Sequence, residues 1–277
     1  MVIRVGFSAD PDDAFMYWGI ASGAVERRGF DFEPEIRDIQ TLNEWALEGR
    51  LEVTAMSLAT YPLAQERYLL LPHGASLGDG YGPVVVAREP LSLDELRASE
   101  IVVPGSLTTA YLVLRLALGA DLRVRSLRFD EIVAEVAQGR ARAGLLIHEG
   151  QLTYRDHGLA KCLDLGEWWQ GETGLPLPLG VNAIRRDLGA EALRDVSAVL
   201  RASIDAALSH REEALAYALG FGRGLDGERG DRFVAMYVNE LTRDYGERGR
   251  AAVRELLRRA EEVGAYDRPV RAEFLEL

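Results

Sequence analysis

One pattern recurs in the two halves of the chain: a short apolar segment runs into a polar loop, and a helical segment follows. The loop is SADPDD at residues 8–13 in the first half and PGSLTT at residues 104–109 in the second. Each half then has a helix end, at residues 48–50 and 138–140, before another apolar segment that leads into polar residues. Such recurrence predicts two similar units. Alternating apolar and helical segments predict βαβ units with parallel strands.

The predicted fold class is therefore α/β, with two lobes that face each other across a cleft. The carboxyl ends of parallel strands meet at one edge of a sheet, where ligands bind. We predict that lobe 1 consists of residues 1–88 and 184–277, and lobe 2 of residues 89–183. The extended segments near residues 84–90 and 178–184 would join the lobes, the second as a crossover linker. Apolar spacing at three and four residues predicts C-terminal helices.

The stretch AGLLIHEGQLTY at residues 143–154 is the most informative for chemistry, because its apolar run ends at His148. Such a run predicts a strand buried on both faces, whose carboxyl end would bring His148 to the cleft. Imidazole exchanges protons near neutral pH, so His148 is the candidate catalytic base. A structural histidine that hydrogen-bonds backbone is the alternative. Glu149 would orient His148 or cap the next helix, and Thr153 is a candidate binding residue.

Polar residues gather in loops that precede helices. The loop at residues 8–13 has more of them than helix capping requires, which favours a binding loop. The loop at residues 104–109 would present donors at the positive end of a helix, which suits a carboxylate or phosphate. Simple helix capping is the alternative, although it explains one Ser or Thr and not three. The glycine-rich segment at residues 74–82 is either a flexible surface loop or part of the cleft wall. The candidate substrate-binding residues outside the 143–154 stretch are Ser8, Asp10, Asp12, Asp13, Ser57, Gly105, Ser106, Thr108 and Thr109.

Composition argues against several classes of function. The net charge of −12 argues against nucleic-acid binding, which needs a basic face. No apolar span approaches about 20 residues, and no secretory signal opens the chain, so we expect a cytoplasmic protein without a membrane anchor. Cys162 is the single cysteine, which excludes an internal disulfide and a multi-cysteine metal site. We expect a small-molecule carboxylate substrate, no cofactor and no metal, and either a monomer or a homodimer.

Several longer segments carry a resemblance to a known family. They are TLNEWALEGRLEVTAMS, GYGPVVVAR, GSLTTAYL, GLLIHEGQLTY, LDLGEWW and TGLPLPLG followed one residue later by NAIRRDLG. Together they resemble the menaquinone-biosynthesis family of the futalosine pathway, which includes 1,4-dihydroxy-6-naphthoate synthase and, more distantly, chorismate dehydratase. The resemblance implies a two-lobe periplasmic-binding-protein-like fold of type II and a cofactor-independent lyase. It also implies that His148 is the base.

One departure from the family pattern bears on the substrate. The family loop typically reads SPCPNDT, whereas residues 8–14 read SADPDDA. Asp10, Asp12 and Ala14 therefore replace Cys, Asn and Thr, which removes donors and adds negative charge to the cleft. Each misplaced charge would disfavour an anionic substrate by about 1–2 kcal/mol in a partly buried site.

The resemblance implies a lyase that converts cyclic dehypoxanthine futalosine to 1,4-dihydroxy-6-naphthoate. Two alternatives share the predicted fold, because fold does not determine function. One is a non-catalytic two-lobe binding protein for a small aromatic or hydroxylated acid. The other is a paralogue similar to chorismate dehydratase.

Overall fold

The computed structural model of the protein describes residues 1–222, 225 and 227–276. Residues 223, 224, 226 and 277, which are predicted as part of lobe 1, lie outside the described residues. The strands are β1 (Val2–Ser8), β2 (Asp31–Arg37), β3 (Val53–Ser57), β4 (Tyr68–Leu70), β5 (Ser76–Gly78), β6 (Val84–Ala87), β7 (Glu100–Val103), β8 (Arg123–Ser126), β9 (Ala143–Leu146), β10 (Ala160–Asp164) and β11 (Leu177–Arg185). The helices are α1 (Pro11–Ala21), α2 (Ile39–Glu48), α3 (Tyr61–Ala64), α4 (Leu93–Ala98), α5 (Thr109–Leu118), α6 (Phe129–Ala137), α7 (Gly150–Thr153), α8 (Leu165–Thr173), α9 (Ala190–Ser209), α10 (Arg211–Leu219), α11 (Gly227–Tyr237), α12 (Glu240–Arg243) and α13 (Gly246–Glu262).

Two mixed sheets form the centres of two lobes, and the predicted α/β class is confirmed. The first sheet has the order β2-β1-β3-β11-β4, with β5 paired to β11, and the second has the order β10-β6-β9-β7-β8. As expected for βαβ units, β1 is parallel to β2 and β3, and β7 is parallel to β8 and β9. No helix within residues 1–222 or 227–276 combines the length and apolar character that a bilayer span needs.

Strands β6 and β11 each belong to a different sheet from the one that the sequence pattern indicated. β6, predicted as the last strand of lobe 1, lies in the second sheet between β10 and β9. β11 is not a crossover linker but a strand of 9 residues in the first sheet, antiparallel to β3 and β4. Where β11 pairs with β5, the register shifts between Pro178 and Gly180. Such an irregularity accommodates proline, which cannot donate a strand hydrogen bond, and glycine. We propose that the chain passes from lobe 1 to lobe 2 before β6 and returns to lobe 1 before β11, rather than at residues 88 and 184.

Helix α1 begins at Pro11 rather than near Ala14, so much of the predicted loop is helical. Asp10 is the N-cap, and its carboxylate accepts the Asp13 N–H at 3.3 Å. Pro11 suits the first helical position because it has no N–H to leave unsatisfied. Asp12 and Asp13 lie in the first turn, where the helix dipole favours negative charge. Asp10, Asp12 and Asp13 therefore have positions set by the start of a buried helix and do not belong to a flexible loop.

Two sets of contacts hold the lobes and α1 in place. Helix α1 packs closely on α9, where Ser203 Oγ donates to Met16 O at 2.8 Å and accepts the Ile20 N–H at 3.2 Å. A continuous apolar cluster includes Met56 of the first sheet and Leu145 of the second. Because buried apolar surface stabilises the packed state, this shared core joins the lobes.

Candidate active site

A cavity lies between the lobes. It has an empty volume of about 660 Å³, part of it open solvent, which is in the range of small-molecule sites. Its wall is built by the first turn of α1, the ends of β3 and β9, the start of α5, strand β11 and helix α11. The predicted residues that line it are Ser8, Asp10, Asp12, Asp13, Ser57, Thr108, Thr109 and His148.

The remaining predicted residues lie elsewhere. Gly105 and Ser106 line a neighbouring groove that shares Ile147 with the main cavity. Thr153 is not part of either wall. Its hydroxyl donates to Glu149 O at 3.1 Å, because the chain enters the short helix α7 directly after β9. The structure therefore gives Thr153 a role within α7 and separates it from the cavity.

His148 of the second lobe meets Asp10 of the first across the cleft. Nδ1 of His148 lies 2.9 Å from Oδ2 of Asp10, and the two side chains are 16% and 3% exposed. The same Asp10 oxygen accepts the Ser8 hydroxyl. The Phe129 ring packs edge-on against the imidazole, with 4.8 Å between the ring centroids. Because Asp10 engages Nδ1, Nε2 is the nitrogen left for proton exchange with a ligand.

The backbone at His148 is held in an uncommon conformation. Its φ angle is 51°, in the left-handed region that costs non-glycine residues of order 1 kcal/mol. With its amide oriented by its hydrogen bonds, Gln151 accepts the His148 N–H at 3.2 Å and donates to Gly82 O at 2.6 Å. The same amide donates to the Tyr237 hydroxyl of α11 at 2.7 Å. These contacts stabilise the strained residue and fix the imidazole at the cavity wall.

Burial and mutual charge shift the pKa values of Asp10, Asp12, Asp13 and His148. Burial would raise the pKa of Asp10, but the His148 imidazole more than offsets it and lowers the pKa below its ordinary value. For Asp13, burial and then the Asp10 charge raise the pKa to about 7. The same two causes raise the pKa of Asp12 well above its ordinary value. Burial lowers the pKa of His148, but its pairing with Asp10 outweighs this, so the pKa is raised.

The hydroxyls of Thr108 and Thr109 are already used by the fold. Thr108 caps α5 by accepting the Tyr111 N–H at 3.3 Å. Thr109 Oγ1 donates to Leu179 O at 2.7 Å and accepts the Ala59 N–H at 3.1 Å. The capping explanation therefore accounts for Thr108, and Thr109 ties α5 to the first lobe. An anionic ligand at this segment would therefore interact with the N-terminal end of α5, where the helix dipole is positive.

Asp10, Asp12 and His148 are a group of described side chains with the donor types of a metal site. One ligand atom of each lies within 4.8 Å of the others. A zinc ion bound at about 2.0–2.2 Å would hold its ligand atoms about 3.3 Å apart. The 2.9 Å between Nδ1 of His148 and Oδ2 of Asp10 is instead a hydrogen-bond distance. The geometry thus fits a shared proton better than a metal ion.

Sequence analysis missed several residues of the wall. Ser76 donates to Oδ2 of Asp12 at 2.8 Å, and it lies in the glycine-rich segment for which a cleft-lining role was one of two alternatives. Gln151 and Tyr237 also line the cavity. Tyr237 had no local signal, because its helix shows only the amphipathic spacing that packing requires.

Comparison with known proteins places the chain in a family. A sequence profile described as menaquinone biosynthesis matches residues 3–262. The chain belongs to the menaquinone-biosynthesis family. It is 44% identical over 263 residues to 1,4-dihydroxy-6-naphthoate synthase of Thermus thermophilus, with 95% of each chain covered. It is 38% identical over 267 residues to the enzyme of the same name from Streptomyces coelicolor, covering 95% of this chain and 94% of the relative. The resemblance drawn from sequence segments is confirmed.

Solved structures agree with the family fold. A protein of Archaeoglobus fulgidus superposes with a TM-score of 0.92 at 45% identity, covering 96% of this chain and 98% of that one. A Candida albicans protein described as having the generic periplasmic binding protein fold gives a TM-score of 0.73 at 11% identity, covering 100% and 98%. The second likeness shows the fold alone. It confirms the predicted two-lobe periplasmic-binding-protein-like architecture.

Proposed function

We propose that this member of the menaquinone-biosynthesis family is a 1,4-dihydroxy-6-naphthoate synthase. It would be a lyase that converts cyclic dehypoxanthine futalosine to 1,4-dihydroxy-6-naphthoate. Two relatives of that name, each aligned over 95% of this chain, support the reaction. The structural observation that carries the proposal is the Asp10–His148 pair on the wall of the interlobe cavity.

In this proposal, His148 takes a proton from a carbon or hydroxyl of the substrate through Nε2. The released electron pair forms a double bond and expels the neighbouring group, which departs with the electron pair of the broken bond and receives the proton from the imidazolium. Asp10 stabilises that imidazolium while it exists. Asp10 also keeps the proton of the neutral imidazole on Nδ1, so that Nε2 presents its lone pair to the cavity. The pair thus supplies both the base and its orientation.

Substrate binding draws on the other polar residues of the wall. Ser57 accepts a hydrogen bond from Asn43 Nδ2 at 3.0 Å, and its own O–H can donate to a substrate hydroxyl. The positive end of α5 would receive the substrate carboxylate. We further propose that the enzyme works in the cytoplasm on this small-molecule carboxylate, because its relatives are named for naphthoate biosynthesis. Cell fractionation with an antibody against the chain tests that location.

The direct test incubates wild type and His148→Ala with cyclic dehypoxanthine futalosine. Naphthoate formation is followed by chromatography and substrate binding by calorimetry. We expect turnover by the wild type, and binding without turnover by His148→Ala. His157→Ala is the matched control, since His157 is exposed and outside the cavity wall. Binding without turnover by the wild type would favour the alternative of a ligand-binding paralogue, and an absence of both would exclude this substrate.

The pH dependence of the wild type tests the role of His148 separately. A base works when deprotonated, so kcat/KM should rise with pH. Because the pKa of His148 is raised from 6.5, the rise should be centred above that value in the free enzyme. A rate that is already maximal below pH 6.5 would contradict this assignment.

A further inference from the structure

The cavity wall has more buried acid groups than positive charge to balance them. Asp10, Asp12 and Asp13 line it. Among the described residues of the wall, His148 alone can carry a positive charge. Asp10 and Asp12 are only 3% and 6% exposed. Their carboxyl oxygens lie within 4.8 Å of each other. Two ionised carboxylates repel strongly at such a site, so one of them must hold a proton.

The hydrogen bonds indicate which of the two holds it. Asp10 faces Nδ1 of His148 at 2.9 Å and accepts the Ser8 hydroxyl, so its charge is compensated. Asp12 accepts one hydrogen bond, from Ser76 to Oδ2 at 2.8 Å. Its other oxygen, Oδ1, is buried and receives no hydrogen bond from the described residues. A protonated Asp12 carboxyl becomes a donor and can hydrogen-bond Asp10.

We propose that Asp12 is a positioning residue that stays a neutral carboxylic acid and hydrogen-bonds Asp10, holding that carboxylate on Nδ1 of His148. The inference rests on the proposed function of His148 as the base. A chain of contacts then runs from Ser76 through Asp12 and Asp10 to His148, across the cleft. Loss of the Asp12 proton would place a second charge against Asp10 and disturb the imidazole.

Several titratable groups face this carboxyl from the elements packed against it. Asp10 and Asp13 belong to the same loop and first turn, and the carboxylate of Asp13 accepts the Ser8 N–H at 2.7 Å. His148 comes from the second lobe and Tyr237 from α11. Asp13 also has a pKa raised to about 7, so it would titrate in the same range as the enzyme's activity. A comparison of variants that all keep Asp13 isolates the contribution of Asp12.

The decisive pair of variants is Asp12→Asn and Asp12→Ala. The amide of Asp12→Asn can donate to Asp10 and accept from Ser76, as a neutral acid does, whereas Asp12→Ala can do neither. We expect kcat/KM of Asp12→Asn to stay within about threefold of wild type, and that of Asp12→Ala to fall at least about tenfold. The wild type should lose activity at alkaline pH, and Asp12→Asn should lack that loss. Equal impairment of both variants, or an alkaline limb unchanged in Asp12→Asn, would overturn the proposal.

A second readout needs no turnover, so it separates this inference from the proposed function. The chain has 4 histidines, and ¹⁵N NMR of the imidazoles gives the His148 signals once a His148→Gln spectrum has assigned them. If Asp12 is neutral, Asp12→Asn removes no charge, and the His148 pKa should move by less than about 0.3. If Asp12 is ionised, the substitution removes a neighbouring negative charge. A fall of the His148 pKa by about 1 or more would therefore refute the inference.

A divalent cation is the competing explanation for the same three side chains. Calorimetric titration of EDTA-treated protein with Zn²⁺ tests it. We expect no stoichiometric binding that depends on this cluster. Stoichiometric binding by the wild type that is lost in both Asp12→Asn and His148→Gln would overturn the proposal, because a cation would then take the place of the proton.

Discussion

Mild acid should destabilise the protein through His73. The residue is 1% exposed, and its Nε2 lies 2.9 Å from Oγ of Ser197. Its Nδ1 is buried without a hydrogen-bond partner among the described residues. Burial above all, and then the charge of Arg201, lower the pKa of His73 to about 4. The folded protein therefore holds this imidazole neutral over a range in which an exposed histidine takes up a proton.

The sign and size of the effect follow from proton linkage. Between pH 6.5, the ordinary value, and about 4, the unfolded chain binds more protons at His73 than the folded chain does. The free energy of unfolding must therefore fall as the pH falls through this window. The contribution of His73 to the free energy of unfolding is fully present above its ordinary pKa. It is about 2 kcal/mol smaller near pH 5, and about 3 kcal/mol smaller in total below pH 4.

Urea unfolding at about pH 7.5 and about pH 5 measures this loss in wild type and in His73→Gln. Glutamine cannot titrate, so the wild type should lose about 2 kcal/mol more than the variant between the two conditions. Comparing the two losses cancels the contributions of other titrating groups and any constant cost of the substitution. Ser197→Ala is the control, because it removes a hydrogen bond but keeps the imidazole, and it should retain the pH dependence. Equal losses in wild type and His73→Gln would refute the reasoning.

Two further predictions concern packing and the site wall. Gly19→Ala should destabilise by about 1–3 kcal/mol, because the added carbon would lie 2.7 Å from Cα of Ser203. Gly171→Ala is its control in thermal unfolding: Gly171 is an exposed position of α8 where the added carbon meets nothing within 4 Å, so the substitution should stabilise by up to about 1 kcal/mol. Asn43→Ala removes the partner of the Ser57 N–H (2.8 Å) and of its hydroxyl (3.0 Å). We expect the substitution to lower the free energy of unfolding in urea by about 2–4 kcal/mol. It should also raise KM more than it lowers kcat. Unchanged stability and an unchanged KM would contradict the role given to Asn43.

Most helices and strands were predictable from the sequence, because their signals are local. Ser92 and Glu95 form the capping box that their spacing predicts at the start of α4. Gly49 ends α2 with a φ angle of 70°, the conformation that glycine adopts at helix ends. The apolar run before His148 is a strand whose residues are all buried. Each of these outcomes depends on side chains and backbone within a few residues.

Strand pairing was less predictable, because it joins segments that are distant in the sequence. The pattern showed that β6 and the residues of β11 are extended, but it placed β6 in lobe 1 and most of β11 in lobe 2, and each strand joins the sheet of the other lobe. β6 pairs with β9 and β10, and β11 pairs with β3, β4 and β5. These choices depend on which packing buries more apolar surface and satisfies the strand hydrogen bonds, and no local pattern encodes that comparison.

The candidate site divides in the same way. The sequence by itself named His148 and the Asp-rich loop, because a polar residue at the end of an apolar run and an excess of acidic residues are local signals. Only the tertiary structure decided that Nδ1 of His148 meets Asp10, that Ser76 and Tyr237 complete the wall, and that Thr153 lies apart from it. The physical reason is that hydrogen-bond partners and pKa values depend on distance through space and on burial, which exist only once the two lobes have packed together.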